Sequence, residues 1–192
     1  MEEPTWHVID LDALPKMYPT HRHEPTFWES LGRVVATFGF LEETLAKAIF
    51  AFTATKPYSE EEVLKALDEW APKLMKTLSD QLWNLIESYG KAVREHPEAT
   101  IKTLEELLEQ LKEAAKIRNV ICHGSWRAPN SKGASIPFFV NRQQELFNTA
   151  IDVSFLLQLQ KHVLELICAV VDTVTHMGWQ FPGSEGPGKV IW

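Results

Sequence analysis

Arg118, Asn119 and His123 stand within six residues of one another, in the stretch K-I-R-N-V-I-C-H-G-S-W from Lys116 to Trp126. An arginine offers a fixed, permanently charged fork that suits phosphate oxygens. A histidine gives and takes protons near neutral pH without special tuning. Those two groups at a helix end are what cleavage of a phosphodiester without a metal requires. His123 falls in the last helical turn, where the helix dipole favours an imidazolium and so a general acid. From Ala114 to Gln144 the chain carries Lys116, Arg118, Arg127, Lys132 and Arg142 and no Asp or Glu, against a net charge of -7 for the whole chain. A local positive surface is what an anionic substrate would meet. Lys116 and Arg127 are candidate phosphate contacts. Trp126, with Phe138 and Phe139, offers stacking faces for bases.

Plainer readings stand beside this one. In a chain with seven histidines, the bare Arg-x4-His spacing arises by chance in roughly one such chain in five. Arg and His near a helix C-terminus also serve as simple caps. On a regular helix, residues five apart lie about 140° round the axis, so Arg118 and His123 do not point together within one chain. Asn119 and His123, four apart, share a face. Arg118 shares the core-facing stripe of Leu104, Leu108 and Leu111, where a charge needs a partner. Cys122 beside His123 could be a thiol nucleophile, but its place on that stripe reads first as a small core residue.

The elements that position these groups are helical. Composition is 45% apolar and 23% charged, that of an ordinary globular domain. Phe27, Leu31, Val34, Val35, Phe38, Leu41, Leu45, Ile49 and Phe52 predict a helix from about Thr26 to Thr53. Gly32 and Gly39 inside it each cost about 1 kcal/mol against alanine and are tolerable if another helix packs close at those points. A second region opens on a Ser59–Glu62 capping box, kinks at Pro72 and resumes through Leu82, Leu85, Ile86 and Tyr89 until Pro97. The third helix, from about Thr100 to His123, has a Thr103–Glu106 capping box and a glycine stop at Gly124. Ile136–Val140 and Glu145–Phe147 predict a small hairpin, with Pro137 confining the first strand to an edge. The last helix runs from about Val153 to Met177. The fold class is all-α: a bundle of four to five helices, about 26–178, in one domain spanning 1–192, with a hairpin inserted at about 126–148 before the last helix.

The ends read as additions. Residues 1–25 form an extended arm that lays Trp6, Val8, Ile9, Leu11 and Leu14 on the body and turns near Pro19. His21-Arg22-His23 reads as a solvated lead-in rather than a metal site, because no further ligands follow at metal spacing. Residues 179–192 read as a flexible tail. Cys122 and Cys168 are expected as reduced, buried thiols of a cytoplasmic protein. No signal peptide is expected, nor an apolar run of membrane-spanning length; the longest candidate, near Val163 to Val174, is broken by Glu165 and Asp172. No cofactor motif of the nucleotide-loop or zinc-helix type is present.

The motif Arg118-Asn119-Val120-Ile121-Cys122-His123 resembles the R-x(4–6)-H signature of HEPN domains (higher eukaryotes and prokaryotes nucleotide-binding). The resemblance implies a four- to five-helix bundle and a metal-independent ribonuclease, often a toxin or defence component, with a composite site across a homodimer and in some cases an antitoxin partner. It implies that Arg118 binds phosphate, His123 is the general acid or base and Asn119 orients one of them. It also points to a polar residue on an early helix, Glu42 or Glu43, which otherwise read as an exposed face. Some members bind nucleotide, RNA or protein without catalysis. A regulatory helical domain whose motif is only a cap is the third class.

Overall fold

A computed structural model describes residues 7–56, 81–99 and 101–184. The expected helix start at Ser59–Glu62, the kink at Pro72, Trp6 and the last eight residues lie outside them. Four helices are present among the described residues: α1 Pro25–Ala54, α2 Leu82–Glu95, α3 Leu104–His123 and α4 Val153–Thr175. The protein is mostly helical.

α1 begins on Pro25, whose fixed φ suits a first helical turn, and runs for 30 residues. Its Val34, Phe38, Leu41, Leu45 and Phe52 are buried. They pack on α4, whose Leu156, Val163, Val170 and Val174 are also buried. Each such side chain contributes about 1.5–3 kcal/mol by leaving water. Gln160 donates to the Thr37 hydroxyl at 3.4 Å, and Trp179 after α4 meets Phe52 near the end of α1. The two helices therefore run in the same direction. Arg118 meets Glu42 and Trp126 meets Phe27, so α3 runs the opposite way. α2 and α3 form an antiparallel pair, latched by Arg94–Glu105 at 2.7 Å and Lys112–Glu87 at 2.8 Å.

Several expectations are corrected. Gly32 and Gly39 mark no close helix contact: among the described residues nothing comes within 4 Å of a Cβ built on either. Thr103 makes no side-chain cap bond, so the expected capping box is not formed and α3 starts at Leu104. Gly124 does not end α3 with a left-handed turn; its backbone is extended, with φ -69° and ψ 139°. The arm does not lay its apolar residues on the body, since Val8 is 94% exposed and Ile9 and Leu11 nearly as open. The tail is packed as far as described, with Phe181 buried. α4 is long and apolar enough to cross a bilayer by length and composition, because Glu165 and Asp172 are too sparse to break the run. Its apolar stripe is committed to α1, and Lys161, Glu165 and Asp172 face outward.

Between α3 and α4 there are isolated antiparallel bridges and no strand among the described residues: Ser125 with Phe138, Ser135 with Ile151, and Val140 with Leu146. Pro137 interrupts the first segment, having no N–H for a ladder. Asn141 turns the chain, its side-chain oxygen accepting from the N–H groups of Gln143 and Glu145.

At the centre Tyr89 donates to the Thr173 hydroxyl at 2.9 Å, which donates to the Val170 carbonyl. Burial pushes the Tyr89 phenol up from 10.0 to about 12, the Thr173 hydrogen bond offsetting part of this. The unfolded phenol ionises first as pH rises, so the stability held by the neutral buried form is intact below pH 10 and is lost between about 10 and 12. Two units correspond to about 3 kcal/mol at most. Chemical denaturation at pH 9 and pH 11.5 should show a loss of that order, and Tyr89→Phe should be weaker at pH 9 yet lose less on going to pH 11.5.

Candidate functional site

α3 remains helical through His123, so its side chains keep the phases that a regular helix dictates. Arg118 lies on the inward stripe. Its Nη2 donates to Glu42 Oε1 at 3.1 Å, and both side chains are 28% exposed. A guanidinium held against the core costs solvation, and the carboxylate of α1 compensates. Glu43, the other candidate, turns away and pairs with Lys47 at 2.6 Å. One residue step is about 100° of helix, which is why only one of the adjacent glutamates reaches α3.

Asn119 and His123 are exposed and turned about 100° and 140° from Arg118 round α3. One protomer therefore does not bring Arg118 and His123 together. Cys122, one turn beyond Arg118 on the inward stripe, is exposed rather than buried, and so is Cys168 on α4. In the last turn of α3 the buried residues are Val120 and Ile121, so the covered side has shifted away from the stripe that holds Cys122.

Lys116 is exposed beside Glu113, whose carboxylate hydrogen-bonds the ammonium and holds it above its ordinary range. The acid-free window of the sequence is therefore not acid-free in space: Glu113 and Glu42 reach into it from outside. Arg127 lays its guanidinium over the Phe138 ring at 5.2 Å, a cation–π contact that leaves its edges open to solvent.

Trp126 is not a free stacking platform. Its ring packs edge-on against Phe27 at 5.0 Å, His23 at 6.3 Å and Trp28 at 6.4 Å. His23 stacks on Phe27 at 4.1 Å and is 8% exposed, which overturns the solvated lead-in. Its Nε2 lies 3.0 Å from the Arg127 carbonyl; a carbonyl only accepts, so that nitrogen carries a proton. Trp28 Nε1 donates to the Thr20 carbonyl. The arm, the first turn of α1 and the loop after α3 thus meet in one aromatic cluster. Trp126 bears no spacing that ties it to the other three, so only the richness of residues 23–28 in rings hinted at the cluster.

Two cavities, of about 390 Å³ and 260 Å³, lie at the opposite end of α3. The larger is lined by Thr103, Leu107, Asp172 and His176 among others. Neither includes a motif residue. Among the described residues no group of three His, Cys, Asp or Glu is placed to hold a metal ion. Comparison with protein-family models, curated proteins and solved structures returns no match.

Gly124 sets how the loop leaves the motif helix. A Cβ there would stand 2.5 Å from the Val120 carbonyl oxygen and 2.9 Å from Pro137 Cβ. The backbone must shift to admit it. Gly124→Ala should destabilise by about 1–3 kcal/mol, read as a lowered denaturation midpoint, although the glycine's φ is one that alanine adopts freely.

Proposed function

We propose that the chain is a metal-independent endoribonuclease of HEPN type, cytoplasmic and homodimeric, with residues 126–148 as a hairpin inserted in the bundle. The observation that carries this reading is Arg118, an arginine kept at the edge of the core on a carboxylate from another helix, five residues before an exposed histidine at the helix end. A guanidinium fixed by Glu42 is preorganised, so it can meet phosphate charge without first losing side-chain freedom. In the reaction the substrate 2′-oxygen attacks phosphorus and the 5′-oxygen leaves, giving a 2′,3′-cyclic phosphate and a 5′-hydroxyl. His123 takes the 2′-hydroxyl proton or protonates the leaving oxygen, and solvent water makes the other proton transfer. Arg118 stabilises the phosphorane charge, and Asn119 orients one of them. Lys116 and Arg127 hold neighbouring phosphates. Toxin or defence biology, with an antitoxin as partner, belongs to the same proposal.

A second reading is a non-catalytic HEPN-like module that binds nucleotide, RNA or a protein partner. It is favoured by the neutralisation of Arg118 by Glu42 and by the outward turn of His123 within one chain.

Cleavage of a mixed-sequence RNA in EDTA separates the two. Wild type should cleave, and Arg118→Ala and His123→Ala should each lose about 100-fold or more while circular dichroism and light scattering stay unchanged. A folded wild type that leaves RNA intact, or three proteins that cleave equally, overturns the ribonuclease and leaves the binding module.

A further inference from the structure

The outward face of α1 has a pattern of its own. Glu29, Arg33, Ala36, Phe40, Glu43 and Lys47 recur at steps of four, three, four, three and four, which keeps them on one side of the helix. All are exposed except Lys47, which is half-exposed; Phe40 is 53% exposed. In order the six read acid, base, small, aromatic, acid, base. Reversed, the order is base, acid, aromatic, small, base, acid. An antiparallel copy of the same helix thus sets Glu29 against Lys47, Arg33 against Glu43, and Ala36 against Phe40, with no like charges opposed.

At the centre of the face Ala36 stands opposite Phe40 of such a copy, and Gly32, Val35 and Gly39 lie beside it on the flank toward Glu42. The two glycines have no described atom within 4 Å of a built Cβ, so that flank is open. Those glycines weaken an exposed helix by about 1 kcal/mol each relative to alanine and serve no contact within the described residues. α4 widens the face: Leu157 and Leu164 are exposed on either side of Gln160, which bonds to α1.

We propose that this face of α1 is a self-association surface, occupied by the antiparallel α1 of a second copy, with Phe40 of each chain seated against Ala36 of the other. Charge complementarity singles out a copy of this chain, because the face is electrically balanced within a chain of net charge -7 and complementary to its own reverse. A two-fold axis perpendicular to antiparallel helices returns the same flank of both to one side. The flank of α1 that holds Glu42 against Arg118 therefore opens on one side of the pair, and both α3 ends lie along it. The contact stands on the face itself; its use in forming a composite site rests on the ribonuclease reading.

Light scattering over a concentration series tests it with the full chain. Wild type should run at twice the chain mass, and Phe40→Glu at the chain mass with helical content unchanged. Arg33→Glu alone and Glu43→Arg alone should each raise the dimer dissociation constant about 10-fold at low salt, since each opposes like charges across the axis. The double variant Arg33→Glu/Glu43→Arg should return to within a few-fold of wild type, although both reversals keep their repulsion within the helix. A monomeric wild type, a dimer indifferent to Phe40→Glu, or a double variant weaker than both singles overturns the proposal. A dimer that cleaves no RNA counts against the ribonuclease alone, and cleavage by a monomer counts against this contact alone.

Discussion

Burial of the inner stripe of α1 against α4 is the constraint on which the other elements depend. α1 is long enough to touch each of the other three helices, and its fully buried Val34, Leu41 and Leu45 leave it no freedom to rotate about its axis. Once that rotation is fixed, every other residue of α1 has an assigned direction. Glu42 must face α3, Thr37 must face α4, and Phe40 must face out. The polar arrangement of the protein follows from an apolar one.

The Arg118–Glu42 pair shows the order of cause. An ion pair at the edge of a core adds little net stability, because desolvation cancels much of the attraction. Its worth is geometric. It fixes where a cation stands and limits how α3 slides along α1. The aromatic cluster of His23, Phe27, Trp28 and Trp126 limits the same motion from the other end of the contact, since it ties the loop after α3 to the first turn of α1. Motif and helix end are therefore held at two points about four turns apart along α1.

The sequence made the helices legible because burial of a helix imposes a period. α1 was expected at about Thr26–Thr53 and is found at Pro25–Ala54; the last helix was expected from Val153 and starts there, where Asp152 accepts from the Phe155 N–H at 2.8 Å. What the sequence did not carry were properties set by distant contacts. His23 is buried because Trp126, more than 100 residues away, reaches it. Cys122 is exposed although it sits on an apolar stripe, because the last turn is covered on the side of Val120 and Ile121 instead. The basic window lost its isolation to Glu113, its immediate neighbour in the chain, and to Glu42, 76 residues away, which composition along the chain does not reveal. Of the candidate site, the helix, the inward arginine and the outward histidine could be read from phase alone, and so could the separation of Glu42 from Glu43.

That same phase limits what one chain can do. Arg118 and His123 on an intact helix diverge by about 140°, and α3 is intact to His123. Uncoiling its last turn would bring them together only by breaking the hydrogen bond from the Gly124 N–H to the Val120 carbonyl, at 2.8 Å, and by pulling Ser125 from its two bonds with Phe138. The Trp126 ring would have to leave its cluster as well. Joining the two groups within one chain thus opposes every contact that ends α3. Joining an arginine from one chain with a histidine from another opposes none of them. If this protein cleaves RNA with these two residues, the second chain is the less costly source of the missing partner.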